Sequence, residues 1–319
     1  YNSLSTPPSQ INSSTQRDHL FPFTIRTVAS LLYLFADQTN DIPNILVNQT
    51  TSGTLSQNEI WSGTHTLTGD VTVPAGITLT ILPGTTIRIP ASKSINIEGT
   101  LIAQGTSADS IFFNSVSGTW SGLKFKDSSV DADCILEYCD IQHATYGVCL
   151  NSAGPIIQHC SFHHNTYGFY AYNANATSAV TVEDNVFRNN TYGLHFSYPG
   201  SSFYVENNDS YANTSRNVYL YCCDDHVEVA SNNIYDSSDL GIYLFDSEPH
   251  VYNNDIYQND GNGIACYYGS HFELYSDAYY GHNTITNNDD NGIYIDANSR
   301  PILGSCNYSG TANEFDGNT

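Results

Sequence analysis

Asp224, Asp225 and Asp246 are the residues of this chain whose type suits acid–base chemistry. Paired carboxylates run glycoside hydrolysis as acid and base, or hold Ca²⁺ through oxygen. Asp224-Asp225-His226 and Asp246 lie one repeat apart, so they cluster if the chain returns on itself in that interval; otherwise they are turn aspartates in solvent. A second set is aromatic. Tyr170, His195, Tyr219, Tyr243 and Tyr294 recur in phase, as do Tyr172, Tyr221, Phe245 and Tyr267 two residues further on. Two such rows on one face form a platform for sugar rings or for a neighbouring subunit, although aromatics also suit β surfaces in general. His143, His163 and His164 are metal-binding types at turn positions, where histidine is ordinarily polar surface, and no metal site is expected.

The elements that place these residues follow from a column of eight: Cys139, Cys160, Asn185, Asn208, Asn232, Asn254, Asn283 and Cys306, at intervals of 21 to 29 residues. Each stands in one phrase: a short apolar strand, the column residue, a variable residue, then usually Ile or Phe. Most units add Gly plus an apolar residue eight or nine positions later, as in Gly168-Phe169 and Gly241-Ile242. Apolar positions alternate with period two around these marks, which predicts short half-buried strands. Gly, Asn and Asp interrupt every run too soon for a helix. Three short strands per period, stacked on the next period, make a parallel β-helix. Stacked turns put like residues about 4.8 Å apart, so each Asn amide can bond the Asn above and below and satisfy turn backbone as well.

The chain resembles the right-handed parallel β-helix proteins of the pectin-lyase-like superfamily. The resemblance rests on the phrase above, on Gly69-Asp70-Val71-Thr72-Val73-Pro74-Ala75-Gly76-Ile77-Thr78-Leu79 and on Gly99-Thr100-Leu101-Ile102-Ala103-Gln104-Gly105-Thr106, and it spans about residues 60 to 319. It implies an all-β, single right-handed solenoid of about ten or eleven coils. It leaves function open, because one fold hosts many chemistries. Asp224, Asp225 and Asp246 are similar to the paired aspartates of polygalacturonase-like members. However, Gly281-His282 falls two coils further on and no Arg-x-Lys follows. The Asp-Pro-Asn-Asp phrase of alginate epimerases is absent. A lyase needs a basic residue over a substrate-facing strand, and Arg188, Arg216 and Arg300 are the candidates in the repeat half.

The net charge of −23, with nine Lys plus Arg, argues against nucleic acid and anionic membranes as partners. It also weighs against polyanionic glycans unless Ca²⁺ bridges them; no other cofactor is expected. Many Tyr and few Lys suit an extracellular surface, and no run reaches transmembrane length. Eight cysteines show no zinc spacing; Cys139 and Cys160, stacked in one column, are within disulfide range or are buried free thiols.

Residues 1–59 read as a polar tail plus a short amphipathic helix over 24–36 that caps the solenoid. Early coils then span 60–133, and Asn-column coils 134–319. The chain starts at Tyr1 without methionine, which suggests a processed protein or a fragment, and it stops within a coil. An open coil end invites stacking of another copy. The expected protein is therefore a secreted structural or adhesive β-helix that self-associates head to tail, with polysaccharide as a further partner. The alternative is a polysaccharide-active enzyme, a hydrolase or lyase, that uses the Asp cluster.

Overall fold

The computed structural model describes residues 44–172, 179–200, 202–274, 283–302 and 314–316. Within them the chain is a right-handed parallel β-helix, and the single helical element is a 3₁₀ turn at Asp131–Asp133. The expected capping helix over 24–36, and the C-terminal phrase that contains Cys306, lie outside the described residues. Regular strands begin at Asn44–Val47 and Thr50–Thr54.

Among the described residues the strands form one ten-stranded sheet and one 21-stranded sheet, and the latter stacks in two files, called here the second and third sheets. The first sheet has ten strands and runs through Glu59–Ser62, Thr100–Gln104, Ile135–Glu137, Val180–Glu183 and Val227–Ala230 to His250–Tyr252. The second stacks three- to five-residue strands such as Cys139–Gln142, Ser161–His163, Val186–Arg188 and Asp209–Tyr211. The third stacks longer strands: Trp120–Phe125, Ala144–Asn151, Tyr167–Tyr172, Tyr192–Ser197, Arg216–Tyr221, Leu240–Phe245 and Ile264–Tyr267. The alternation read from the sequence places Leu136, Ile157, Val182, Phe162, Phe187, Phe169 and Leu244 at 0% exposure. Inside, like stacks on like: Phe162 and Phe187 lie 4.8 Å apart and 7° from parallel.

The corner between first and second sheets combines one left-handed residue with one ladder residue. Asp184, Asn207, Ser231 and Asn253 have φ between 55° and 58°, a strained region for residues with a Cβ. The following Asn offsets that strain. The backbone N–H groups of Asn185, Asn208, Asn232 and Asn254 donate to Oδ1 of the next Asn at 2.9 to 3.0 Å. Each Nδ2 from Asn185 to Asn283 donates to a carbonyl of the preceding turn at 2.8 to 3.0 Å. Cys139 and Cys160 occupy the same column as free thiols, and Cys139 N–H points at Cys160 Sγ at 3.5 Å.

A second ladder runs five residues behind the first, at the corner between second and third sheets. Asn165, Asn190, Asn213, Asn259 and Asn288 bond as the first set does, with Ser237 in the missing place. The glycine that follows has a local cause. A Cβ on Gly168 would stand 2.6 Å from Gly193 O, where the chain crosses into the third sheet.

Candidate functional site

Outward positions of the third sheet fall into three columns. The middle one reads Lys124, Cys149, Tyr170, His195, Tyr219, Tyr243, then Ala265 and Tyr294. Beside it stand Asn151, Tyr172, Ser197, Tyr221, Phe245 and Tyr267. All nine residues of the two aromatic rows expected from the sequence lie on this sheet. On the other side is a column that sequence reasoning missed: Tyr146, Tyr167, Tyr192 and Arg216. Its signal was present as Thr145-Tyr146-Gly147, Thr166-Tyr167-Gly168 and Thr191-Tyr192-Gly193.

Arg216 is the centre of this face. Its guanidinium carbon lies 4.2 Å from the Tyr243 ring centroid, 4.8 Å from Tyr219 and 5.8 Å from Tyr192. Each such cation–π contact contributes about 0.5–2 kcal/mol, depending on desolvation. His195 stacks on Tyr219 at 4.2 Å and meets Tyr170 edge-on at 4.9 Å. Burial, and then the Arg216 charge, lower its pKa to about 4, so the imidazole is neutral at pH 7. Burial pushes Tyr219 up to about 12 against the pull of Arg216, and its hydroxyl keeps its proton. His195 Nδ1 and Arg216 Nε are buried without a hydrogen-bond partner. Buried polar atoms of this kind call for an explanation, and binding sites are one.

Toward the N-terminal end the same face forms a groove of about 290 Å³, lined by Lys124, Lys126, Tyr146, Cys149, Asn151, Tyr170 and Tyr172. The Cys149 thiol is pushed up to about 11 by burial, although both lysines pull it down. It stays a thiol rather than a nucleophilic thiolate.

The carboxylates expected to act together are only partly gathered. His226 Nδ1 lies 3.0 Å from Asp225 and 3.3 Å from Asp224. Asp246 stands at the adjacent corner, 3.8 Å from Cys222 Sγ, and is not among the three donors grouped within 4.8 Å of one another. All three aspartates are exposed. An acid–base pair needs two carboxylates in unlike environments, and these share one. The richer acidic surface is the first sheet, where Glu137, Gln158, Glu183 and Glu206 form one column. Burial, and then Glu183 and Glu228, raise the Glu206 pKa.

The third-sheet strands from Ser94–Ile97 to Ile293–Ile295 contain no Asp or Glu. Asp239 and Asp296 stand just outside these strands and act on the Tyr243 hydroxyl from the edge of the face. The residues present can pair an anion with Arg216, stack apolar sugar faces on tyrosine, and move protons through neutral imidazole and phenol groups.

The family described as right handed beta helix region matches residues 43–209 and 121–278. Among solved structures, a variant of the periplasmic alginate epimerase AlgG is similar at 14% identity and TM-score 0.53, covering 85% of this chain and 76% of its own. The A-module of the mannuronan C-5 epimerase AlgE6 from Azotobacter vinelandii gives 13% and 0.44, covering 87% and 90%. Endopolygalacturonase I from Stereum purpureum gives 11% and 0.24, covering 85% and 98%. No curated protein matches the sequence.

Proposed function

Because the chain belongs to the right-handed β-helix family, we propose that its third sheet binds and processes an acidic polysaccharide by proton transfer at a uronate ring. This replaces the structural, head-to-tail reading of the sequence. The AlgG variant that shares the fold is named as a periplasmic alginate epimerase. The aromatic face also holds an unpartnered Arg216 Nε and His195 Nδ1, which a surface built only for packing would pair or exclude. Localisation follows the same likeness: the chain is read as exported, as the name of the periplasmic epimerase suggests. No helix among the described residues is long and apolar enough to cross a membrane.

The observation that carries this reading is Arg216 amid Tyr192, Tyr219 and Tyr243 beside a neutral His195. Removing a proton from the ring carbon next to a carboxylate places negative charge on that carboxylate. Arg216 stabilises the charge where it develops. The neutral His195 ring has a lone pair to take the proton, and a protonated phenol such as Tyr219 can return one. Return to the opposite ring face gives an epimer; delivery to the glycosidic oxygen gives elimination. The global charge of −23 is no obstacle, because three of the nine Lys and Arg residues, Lys124, Lys126 and Arg216, lie on this one face.

The test is incubation of the intact chain with alginate and with polygalacturonate. Elimination is read by ultraviolet absorbance of the unsaturated product, and epimerisation by proton NMR in heavy water. Deuterium at the carbon bearing the carboxylate is the expected result, lost in Arg216→Ala. Failure to bind either polymer, or binding that yields neither label nor unsaturated product, overturns the reading.

A further inference from the structure

Two corners on successive turns, between second and third sheets, carry exposed histidines. His143 and His164 both have left-handed φ, 58° and 55°. Their rings stack with centroids 5.5 Å apart, 12° from parallel. Each ring is tied down at Nδ1. His143 Nδ1 lies 3.2 Å from Asn114 Oδ1. His164 Nδ1 lies 2.8 Å from His163 Nδ1, and His163 Nε2 lies 3.1 Å from both Asp140 oxygens.

These contacts fix the protons. A carboxylate only accepts, so His163 carries its hydrogen on Nε2 and its Nδ1 accepts. The hydrogen between the two Nδ1 atoms therefore belongs to His164. His143 donates from Nδ1 to the amide oxygen of Asn114 in the same way. Both exposed rings then present a bare Nε2 to solvent. Metal-binding imidazoles are held like this: the remote N–H is donated to an acceptor that fixes tautomer and ring orientation and raises basicity.

We propose that His143 and His164 form a two-nitrogen site for a divalent first-row transition metal such as Cu²⁺, Ni²⁺ or Zn²⁺, supported by Asn114 and by the Asp140–His163 pair. Imidazole nitrogen suits these ions, whereas Ca²⁺ and Mg²⁺ require oxygen. Metal–nitrogen bonds of about 2.0–2.1 Å require the two Nε2 atoms to come within about 4 Å of each other. The rings therefore lean together at their outer edges, which exposure of both side chains permits. The competing donor group is the exposed Asp224, Asp225 and His226.

Full-length protein without a histidine tag, stripped with chelator, is titrated with Cu²⁺ by calorimetry, and its electron paramagnetic resonance is recorded. One ion with two equatorial nitrogens is expected. His143→Asn and His164→Asn should each weaken binding at least tenfold and leave one nitrogen; asparagine tolerates the left-handed corner, which protects the fold. Asp140→Asn should weaken binding about tenfold while both nitrogens remain. His226→Asn should change nothing. The proposal is overturned if Cu²⁺ does not bind, if the double variant at 143 and 164 binds it unchanged, or if His226→Asn is what removes it.

Discussion

The first and third sheets share one backbone, one rung spacing and the same ladders, yet their outer faces are chemical opposites. The first carries Glu137, Glu183 and Glu206 in one column, with Gln158 between them and Glu228 beside them. The third carries rings, Arg216 and two lysines, and its described strands lack carboxylates from Ser94–Ile97 to Ile293–Ile295. A solenoid repeats its core and leaves each face free to vary. Net charge therefore says little about what such a chain binds. A ligand within a Debye length, about 8 Å at physiological salt, meets the local face and not the sum.

Breaking the contrast at its centre should have the largest effect. Arg216→Ala is expected to lower turnover of an acidic polysaccharide about 10²–10³-fold, the usual loss when one group stabilising developing charge is removed. Glu206→Gln on the opposite sheet should leave turnover unchanged. Equal losses in both variants would mean that the faces are not functionally distinct.

The two faces should also titrate in opposite directions. His195 has its pKa lowered to about 4, so the unfolded chain, with an ordinary value near 6.5, takes up the proton first. Its contribution is full above about pH 6.5 and is lost as pH falls toward about 4, up to about 3 kcal/mol over that window. Glu206 has its pKa raised, so its penalty is felt above the folded value and disappears as pH falls below the unfolded one. Urea unfolding at a series of pH values should show a fall below pH 6.5 that His195→Gln flattens. A curve identical to wild type would remove His195 from the account.

A change common to both faces should be intermediate. Asn232→Ala deletes Nδ2 bonds to Val205 O and Asn254 Oδ1 and leaves the Asn208 N–H without its acceptor. The expected cost is about 1–3 kcal/mol, read as a lower denaturation midpoint at unchanged slope. The smallest effect belongs to Glu206→Gln, which relieves repulsion from Glu183 and Glu228 on a half-exposed surface. A gain of about 0.5 kcal/mol or less is expected at neutral pH, and a loss would show that the carboxylate is bonded rather than crowded.

Much of this was legible in the chain. The 21- to 29-residue column fixed the coil, and period-two alternation marked Val182, Phe187 and Leu220 as core. The rows Tyr170, His195, Tyr219, Tyr243 and Tyr172, Tyr221, Phe245 were visible because they follow the glycine in phase. The column of Tyr146, Tyr167, Tyr192 and Arg216 precedes the glycine, where the chain turns from one sheet to the next, and alternation counted from one side does not cross that corner. The second ladder was concealed by Ser237 and by the abundance of Asn in turns. Lys124 and Lys126 belong to a coil before the column begins, so only three-dimensional register brings them beside Cys149 and Tyr170. Asp246 shows the converse: sequence spacing put it with Asp224, and the corner geometry set it beside Cys222.

The first asparagine ladder has one more consequence. Every side-chain carbonyl from Asn208 to Asn283 accepts from the turn before it, so the amide dipoles are aligned head to tail along the solenoid axis. Such a file polarises along its length, each bond strengthening the next, and an interior member has a partner on either side. The file should therefore open from its ends. The amide hydrogens of Asn208 and Asn232 should be the last to exchange with heavy water, and Cys139 and Cys160, where sulfur replaces the amide, should mark where protection begins to fail.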